Sequence, residues 1–178
     1  MGRTGDTGRR ALPWPAVIIL IDGRSGSGKT ELALELVAQV PGAQLVRLDD
    51  IYPGWDGLDA ASAAVPGILS SRRWRRWDWS TAKLAEWNSL DPDRPLIVEG
   101  VGALSRASRD LADRALWVEL DGATRKDRAL ARDDYFAAHW DRWAEHEDRF
   151  IARENPRVLA DTIVDGNDVT SFSLELSP

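Results

Sequence analysis

Apolar positions along the chain alternate between two periodicities. Residues 16–21 (AVIILI) are a continuous, largely β-branched run of strand length, the pattern of a strand buried on both faces. After a Gly-rich turn, residues 29–40 (KTELALELVAQV) place Leu32, Leu36 and Val40 on one helical stripe with Ala33 and Val37 beside them, and Pro41-Gly42 ends the helix. Further strands are predicted over 44–48, 95–100 (PLIVEG), 115–120 (ALWVEL) and 162–164, with helices over about 104–113 and from about 123 to 153, the latter broken once. The stretch between 49 and 88 is less regular. Tyr52-Pro53-Gly54-Trp55 is turn-like, an Ala-rich segment at 58–65 suggests a short helix, 72–79 (RRWRRWDW) is dense in Arg and Trp, and 81–88 reads as helix. Strands alternating with helices imply a parallel sheet covered on both sides, an α/β fold. No internal repeat is visible, so a single domain is expected over 14–178 behind a polar tail at 1–13.

Composition then removes whole classes of function. The 178 residues carry 23 Lys+Arg against 29 Asp+Glu, a formal net charge of −6, and broad binding to duplex nucleic acid needs the opposite balance. Cysteine is absent and His139 and His146 are the only histidines, which excludes disulfides, thiolate zinc sites and cysteine nucleophiles and argues against a His-rich metal site. No apolar run approaches the ~20 residues of a membrane-spanning helix, and residues 1–10 lack the apolar centre of a signal peptide. A cytoplasmic protein, monomeric or homodimeric, with no membrane or stable nucleic-acid partner, is expected.

Candidate chemistry begins at 23–30. Gly23-Arg24-Ser25-Gly26-Ser27-Gly28-Lys29-Thr30 fits G-x-x-x-x-G-K-[ST] between a predicted strand and a predicted helix. Glycines let several N–H groups turn inward on phosphate oxygens, and the following helix offers its positive N-terminal end. Lys29 would reach the β- and γ-phosphates and the Thr30 hydroxyl would hold magnesium. The plainer reading is a Gly/Ser-rich turn that happens to contain Lys-Thr.

Ligands of an open parallel sheet collect at the carboxyl ends of its strands. Asp49-Asp50 follows the second predicted strand, and Glu99 closes the third. One carboxylate facing an acceptor hydroxyl can take its proton, and a second can position magnesium. Asp50 reads equally well as a turn or cap residue.

Taken together these residues resemble the uridine kinase and phosphoribulokinase-like group of P-loop small-molecule kinases. IDGRSGSGKT (21–30) looks like its phosphate loop, LDDIY (48–52) like its strand-two Asp-x-Phe-Tyr element, and LIVEG (96–100) like its Val-x-x-Glu-Gly strand. TRKDRALARD (124–133) resembles its arginine-bearing lid helix, and ADTIVDGND (160–168) is similar to the late strand that ends in a turn near adenine. The resemblance implies a P-loop NTPase fold, a three-layer α/β/α arrangement with a five-stranded parallel sheet in order 2-3-1-4-5 and a helical lid at about 122–136. It implies ATP and Mg2+ as cofactors. Gly23, Ser25, Gly26, Ser27, Gly28, Lys29, Thr30, Arg125 and Asn167 would bind ATP, and Thr30 and Glu99 the metal. Asp49 falls on the position of the catalytic base.

Arg125, Arg128 and Arg132 stand three and four apart, so they share a helical face and could surround developing phosphate charge. Alternatively that face is solvated and paired with Asp127, Asp133 and Asp134. The chain departs from the group where its His-Pro-x-Ala element would stand, carrying Trp77-Asp78-Trp79-Ser80 instead. Asp50, Tyr52, Arg76 and Asp78 are the candidate acceptor contacts, Asp78 corresponding to the carboxylate that holds ribose hydroxyls.

Nine Trp are present, and Trp74, Trp77 and Trp79 alternate with arginines, which suits a planar ring, an anionic acceptor or simple anchoring of a short helix on the core. Tyr135, His139 and Trp143 recur at intervals of four beside Phe136 and Trp140, most simply as core packing. The expectation is an ATP- and Mg2+-dependent kinase of a small-molecule phosphoryl acceptor, a hydroxyl of a nucleoside or nucleoside-like metabolite. Catalysis would rest on Asp49, Lys29, Arg128 and Arg132. The alternatives are another acceptor (a nucleoside monophosphate, a sugar acid or an antibiotic hydroxyl) or a non-catalytic nucleotide-binding module.

Overall fold

The computed structural model describes residues 16–132 and 134–174; the side chains of Arg132 and Asp134 lie outside that description, as does the tail expected at 1–13. The first apolar run becomes the middle of the sheet because it can bury both faces. In β1 (Ile18–Gly23), Ile19, Leu20 and Ile21 are wholly buried. This strand pairs in parallel with β5 (Leu96–Glu99) on one side and β6 (Arg114–Glu119) on the other. β2 (Gln44–Arg47) lies beyond β5 and β7 (Thr162–Asp165) beyond β6, giving β2-β5-β1-β6-β7. β3 (Arg73–Asp78) and β4 (Lys83–Ser89) form a separate antiparallel hairpin. Counted without the hairpin, the main sheet has the expected order 2-3-1-4-5.

Alternate residues of each strand feed two separate cores. Leu20, Val46, Leu96 and Val98 pack with α2 (Leu58–Ser71) and with Trp143 and Phe150 of α6 (Trp140–Glu154). On the other face Ile19, Ile21, Ile97 and Leu116 meet Leu32, Ala33 and Leu36 of α1 (Lys29–Gln39). Helices on both faces make the three-layer arrangement.

Several elements depart from the sequence reading. Residues 81–88, expected as helix, lie mainly in β4, and the Arg/Trp segment is its partner β3. Cross-strand contacts decide this against local propensity: the Arg73 guanidinium lies 5.0 Å from the centre of the Trp87 ring, and Arg76 pairs with Glu86 at 2.7 Å. The Ala-rich helix continues past Pro66 to Ser71, because Val65, Ile68 and Leu69 extend its buried stripe. The helix expected at 104–113 shrinks to α3 (Arg106–Arg109), opened by a Ser105/Ser108 capping box. The long helical stretch is broken more than once, into α4 (Gly122–Arg132), α5 (Asp134–Ala137) and α6, with α7 (Pro156–Leu159) following. His139 has a non-helical backbone (φ −114°, ψ 1°) and starts α6 anew. Among the described residues no helix is long and apolar enough to cross a membrane.

Candidate active site

β1 ends in the loop Gly23–Thr30, whose shape depends on glycine at two places. Gly26 has φ 78°, and a Cβ there would sit 2.1 Å from the carbonyl oxygen of Arg125. Gly28 has φ 100° and is the N-cap of α1. The amides of Gly26, Gly28, Lys29 and Thr30 make no hydrogen bond with any described residue, so they are open to an anion at a helix N-terminus. Lys29 is buried and donates to the Arg24 carbonyl at 3.0 Å.

The carboxyl ends of β2 and β5 bring two carboxylates opposite this loop. Thr30 Oγ1 donates to Glu99 Oε1 at 3.1 Å, and Arg47 Nε donates to the same oxygen at 3.2 Å. Arg47 also lies 3.6 Å from Asp49 Oδ2, so one guanidinium spans both acids. Burial pushes the Glu99 carboxyl above its ordinary range; Lys29 opposes that push, Asp49 adds to it and Arg47 opposes it.

Ser25, Gly26, Lys29 and Thr30 line one side of a cavity of about 320 Å³, with Asp49 and Glu99 facing them. Its remaining wall is aromatic: Tyr52, Trp55, Trp79, Tyr135, Phe136 and Trp143. Trp55 is the hub. It stacks on His139 (4.4 Å, 18°) and meets Trp79 at 5.2 Å. The indole of Trp79, in the turn just past β3, donates to the Asp49 carbonyl at 2.8 Å, tying the hairpin to the backbone of the residue that carries the carboxylate after β2. Tyr52 donates its hydroxyl proton to the Val101 carbonyl at 2.8 Å.

The cavity therefore gathers Ser25, Gly26, Lys29, Thr30, Asp49, Tyr52 and Glu99 from the sequence-predicted set. Gly23, Ser27 and Gly28 shape the loop without lining the cavity. The other candidates are engaged elsewhere. Arg125 donates to the carbonyls of Leu120 (3.2 Å) and Ser25 (3.1 Å), and Arg128 to Gly166 O (2.8 Å) and Asn167 Oδ1 (3.3 Å). Arg125 and Arg128 thus fasten α4 to the loop and to the turn after β7, rather than forming a solvated face. The Arg132 side chain lies outside the description. Asp50 is half-buried beside the cavity, its carboxyl raised by burial and by Asp49 against the opposing pull of Arg47 and Arg76. Arg76 is held by Glu86, and Asp78 accepts from Ser80 N (2.9 Å) and Ser80 Oγ (2.7 Å), closing the hairpin turn. That turn accounts for Asp78 without a ligand.

Residues that sequence reasoning passed over also shape the site. Trp55, Phe136 and Trp143, expected as turn or core, line the cavity. Glu147 accepts from Ser25 N, and nothing in a sequence separation of 122 could have announced it. Asp22 did carry a signal, a polar residue ending an apolar strand just before the loop. Its wholly buried carboxylate accepts from the amides of Gly23 (2.7 Å), Gly102 (3.1 Å) and Leu104 (2.9 Å), holding the turn after Glu99 in place.

No protein-family model and no curated protein matches the chain. Solved structures do. A possible uridine kinase from Bacillus stearothermophilus superposes with TM-score 0.58 at 18% identity, over 85% of this chain and 90% of that one. A gluconokinase from Sinorhizobium meliloti 1021 gives 0.55 at 18% identity over 87% of each chain, and an uncharacterized protein from Eubacterium ventriosum ATCC 27560 gives 0.52 at 13% over 86% and 93%. The chain shares the overall α/β fold of these solved structures. Within that fold the Gly23–Thr30 loop leaves the central strand, and the two carboxylates stand at the end of β5 beside it and just past the end of β2 beyond, where ligands of such sheets bind.

Proposed function

We propose that the protein is an ATP- and Mg2+-dependent small-molecule kinase that transfers the γ-phosphoryl group to a hydroxyl of an uncharged, ring-bearing acceptor such as a nucleoside. The observation that carries this reading is the shared cavity, in which a carboxylate at a strand end faces the phosphate loop across a space walled by aromatic rings.

The residues present fit the nucleotide. Unpaired amides at Gly26, Gly28, Lys29 and Thr30 suit phosphate oxygens, and the Lys29 ammonium can exchange the Arg24 carbonyl for them. Thr30 and Glu99, already in contact, are hard oxygen donors suited to magnesium, which when bound neutralises charge on the phosphates. Asp49 is more than half exposed and faces the cavity, free to accept the acceptor's hydroxyl proton as its oxygen attacks. Arg128 and Arg132 would stabilise the transferring group, Arg128 by exchanging its contacts with Gly166 and Asn167 for phosphate oxygens, and Arg125 and Asn167 would contribute to ATP binding. Alanine at Arg128 or Arg132 is then expected to lower kcat more than it alters the KM for ATP.

The lining also bears on the acceptor. Among the described residues that line the cavity, Lys29 is the only Lys or Arg, and it is committed to phosphate. A nucleoside monophosphate or sugar acid would need a further cation, and Arg76, the nearest candidate in sequence, is paired with Glu86 on the hairpin. Aromatic faces favour a flat uncharged ring.

The test is ADP formation with MgATP across uncharged nucleosides, other ring-bearing alcohols, nucleoside monophosphates and sugar acids. Turnover stimulated by the uncharged ring-bearing alcohols is expected. Preferential stimulation by the anionic acceptors would overturn the acceptor assignment, and MgATP binding that no acceptor converts to turnover would favour the nucleotide-binding module.

A further inference from the structure

The phosphate loop and the acceptor wall are joined through two side chains of α6, Glu147 and Trp143. Glu147 and Trp143 stand four apart on α6, so they share the helix face turned toward the loop. The Glu147 carboxylate is almost wholly buried, and its Oε1 accepts from Ser25 N (2.8 Å) and Trp143 Nε1 (3.1 Å) while Oε2 accepts from Arg24 Nε (3.0 Å). The same indole N–H reaches Ser25 Oγ at 3.0 Å. On its other side the Trp143 ring packs edge-on against Tyr52 (4.8 Å, 70°) and Trp55 (6.1 Å, 82°), both in the acceptor wall.

A buried carboxylate beside a polyphosphate site has an electrostatic cost, so its retention calls for a reason. Arg24 neutralises it, and Asp148 holds the other end of that guanidinium at 2.6 Å. Glu147 engages the leading half of the loop, Arg24 and Ser25, and leaves the amides of Gly26, Gly28, Lys29 and Thr30 open. It thus does not compete for the anion cradle but sets its shape.

We propose that Glu147 is a positioning residue that couples the two substrates: it locks Ser25 and Trp143 into one arrangement, so that nucleotide binding orders the acceptor wall and acceptor binding orders the loop. This rests on the proposed nucleotide site. Linkage requires the effect to be reciprocal, each substrate changing the other's affinity by the same factor.

The coupling is readable with MgATP alone, by calorimetric binding to the full chain and to Trp143→Phe, Glu147→Gln and their double variant. Trp143→Phe keeps a ring in the wall but removes the N–H that meets Glu147 and Ser25. Each single change is expected to weaken MgATP binding by about fivefold or more, and the double variant to lose less than the product of the two single losses, since the two share one contact. Trp140→Phe, one turn earlier on the same helix, is the control for general loss of helix stability and should bind as wild type. Effects that multiply in the double variant, unchanged binding in Trp143→Phe, or an equal loss in Trp140→Phe would overturn the proposal. Tighter binding by Glu147→Gln would also overturn it, showing that the carboxylate competes with phosphate. A wild-type chain that binds no MgATP would instead overturn the nucleotide site itself.

Discussion

Three carboxylates at strand ends have been given different environments, and the differences divide the work. Glu99 is buried against Thr30 and Arg47, which suits a metal; Asp49 is open to the cavity, which suits proton transfer. Asp22 is sealed in, where it organises backbone, and burial pushes it to about 7 despite the amides of Leu104 and Gly23, the charge of Lys29 and the amide of Gly102. The unfolded chain would release that proton near 3.8, the ordinary value of an aspartate, so between these pH values the folded state binds more protons. The stability Asp22 contributes is therefore full below about pH 4 and lost as pH rises through about 7. Urea unfolding from pH 4 to 8 should show that fall, and Asp22→Asn should flatten it. An unchanged slope in the variant would assign the titration to other groups. At this scale the sequence was informative where a polar residue ended an apolar run, as at Asp49 and Glu99; Asp22 carried the same signal but was passed over. The sequence was silent for Glu147, whose partner is brought to it only by packing of α6 over the loop.

Elements behave less predictably than residues where tertiary pairing outweighs local preference. Lys83-Leu84-Ala85-Glu86 has a good helix-forming composition, yet it is a strand because β3 offers it Arg and Trp partners across the hairpin. The hairpin then serves the site through one residue, Trp79. Trp79→Ala should raise the acceptor KM about tenfold, in keeping with loss of an aromatic face from the cavity wall, and leave MgATP affinity unchanged. Arg76→Ala, by contrast, removes only an exposed ion pair and should leave acceptor KM and stability close to wild type. A large acceptor defect in Arg76→Ala would revive an anionic acceptor. The junction of the loop and α4 is stricter. Gly26→Ala would combine a left-handed backbone with a Cβ against the Arg125 carbonyl, and should cost about 1–3 kcal/mol in denaturant unfolding. Near-wild-type stability there would mean that α4 does not press on the loop as described.

Across the whole molecule, the parallel order of the sheet makes the site a consequence of topology. β1, β5 and β2 are neighbours, so the phosphate loop, Glu99 and Asp49 leave the same edge of the sheet within one cavity. The continuous apolar runs announced the strands, and motif resemblance supplied their order, which periodicity alone does not encode. The aromatic wall was legible only as a surplus of Trp, because its members come from the turn at Trp55, the hairpin at Trp79 and the helices at Phe136 and Trp143. The central claim is phosphoryl transfer to an alcohol activated by Asp49. Its most direct test is acceptor-dependent ADP formation by wild type beside Lys29→Met and Asp49→Asn, with MgATP affinity measured in parallel. Both variants should lose about a hundredfold or more in turnover, Asp49→Asn while still binding MgATP. Acceptor-dependent turnover undiminished in Asp49→Asn would contradict the claim.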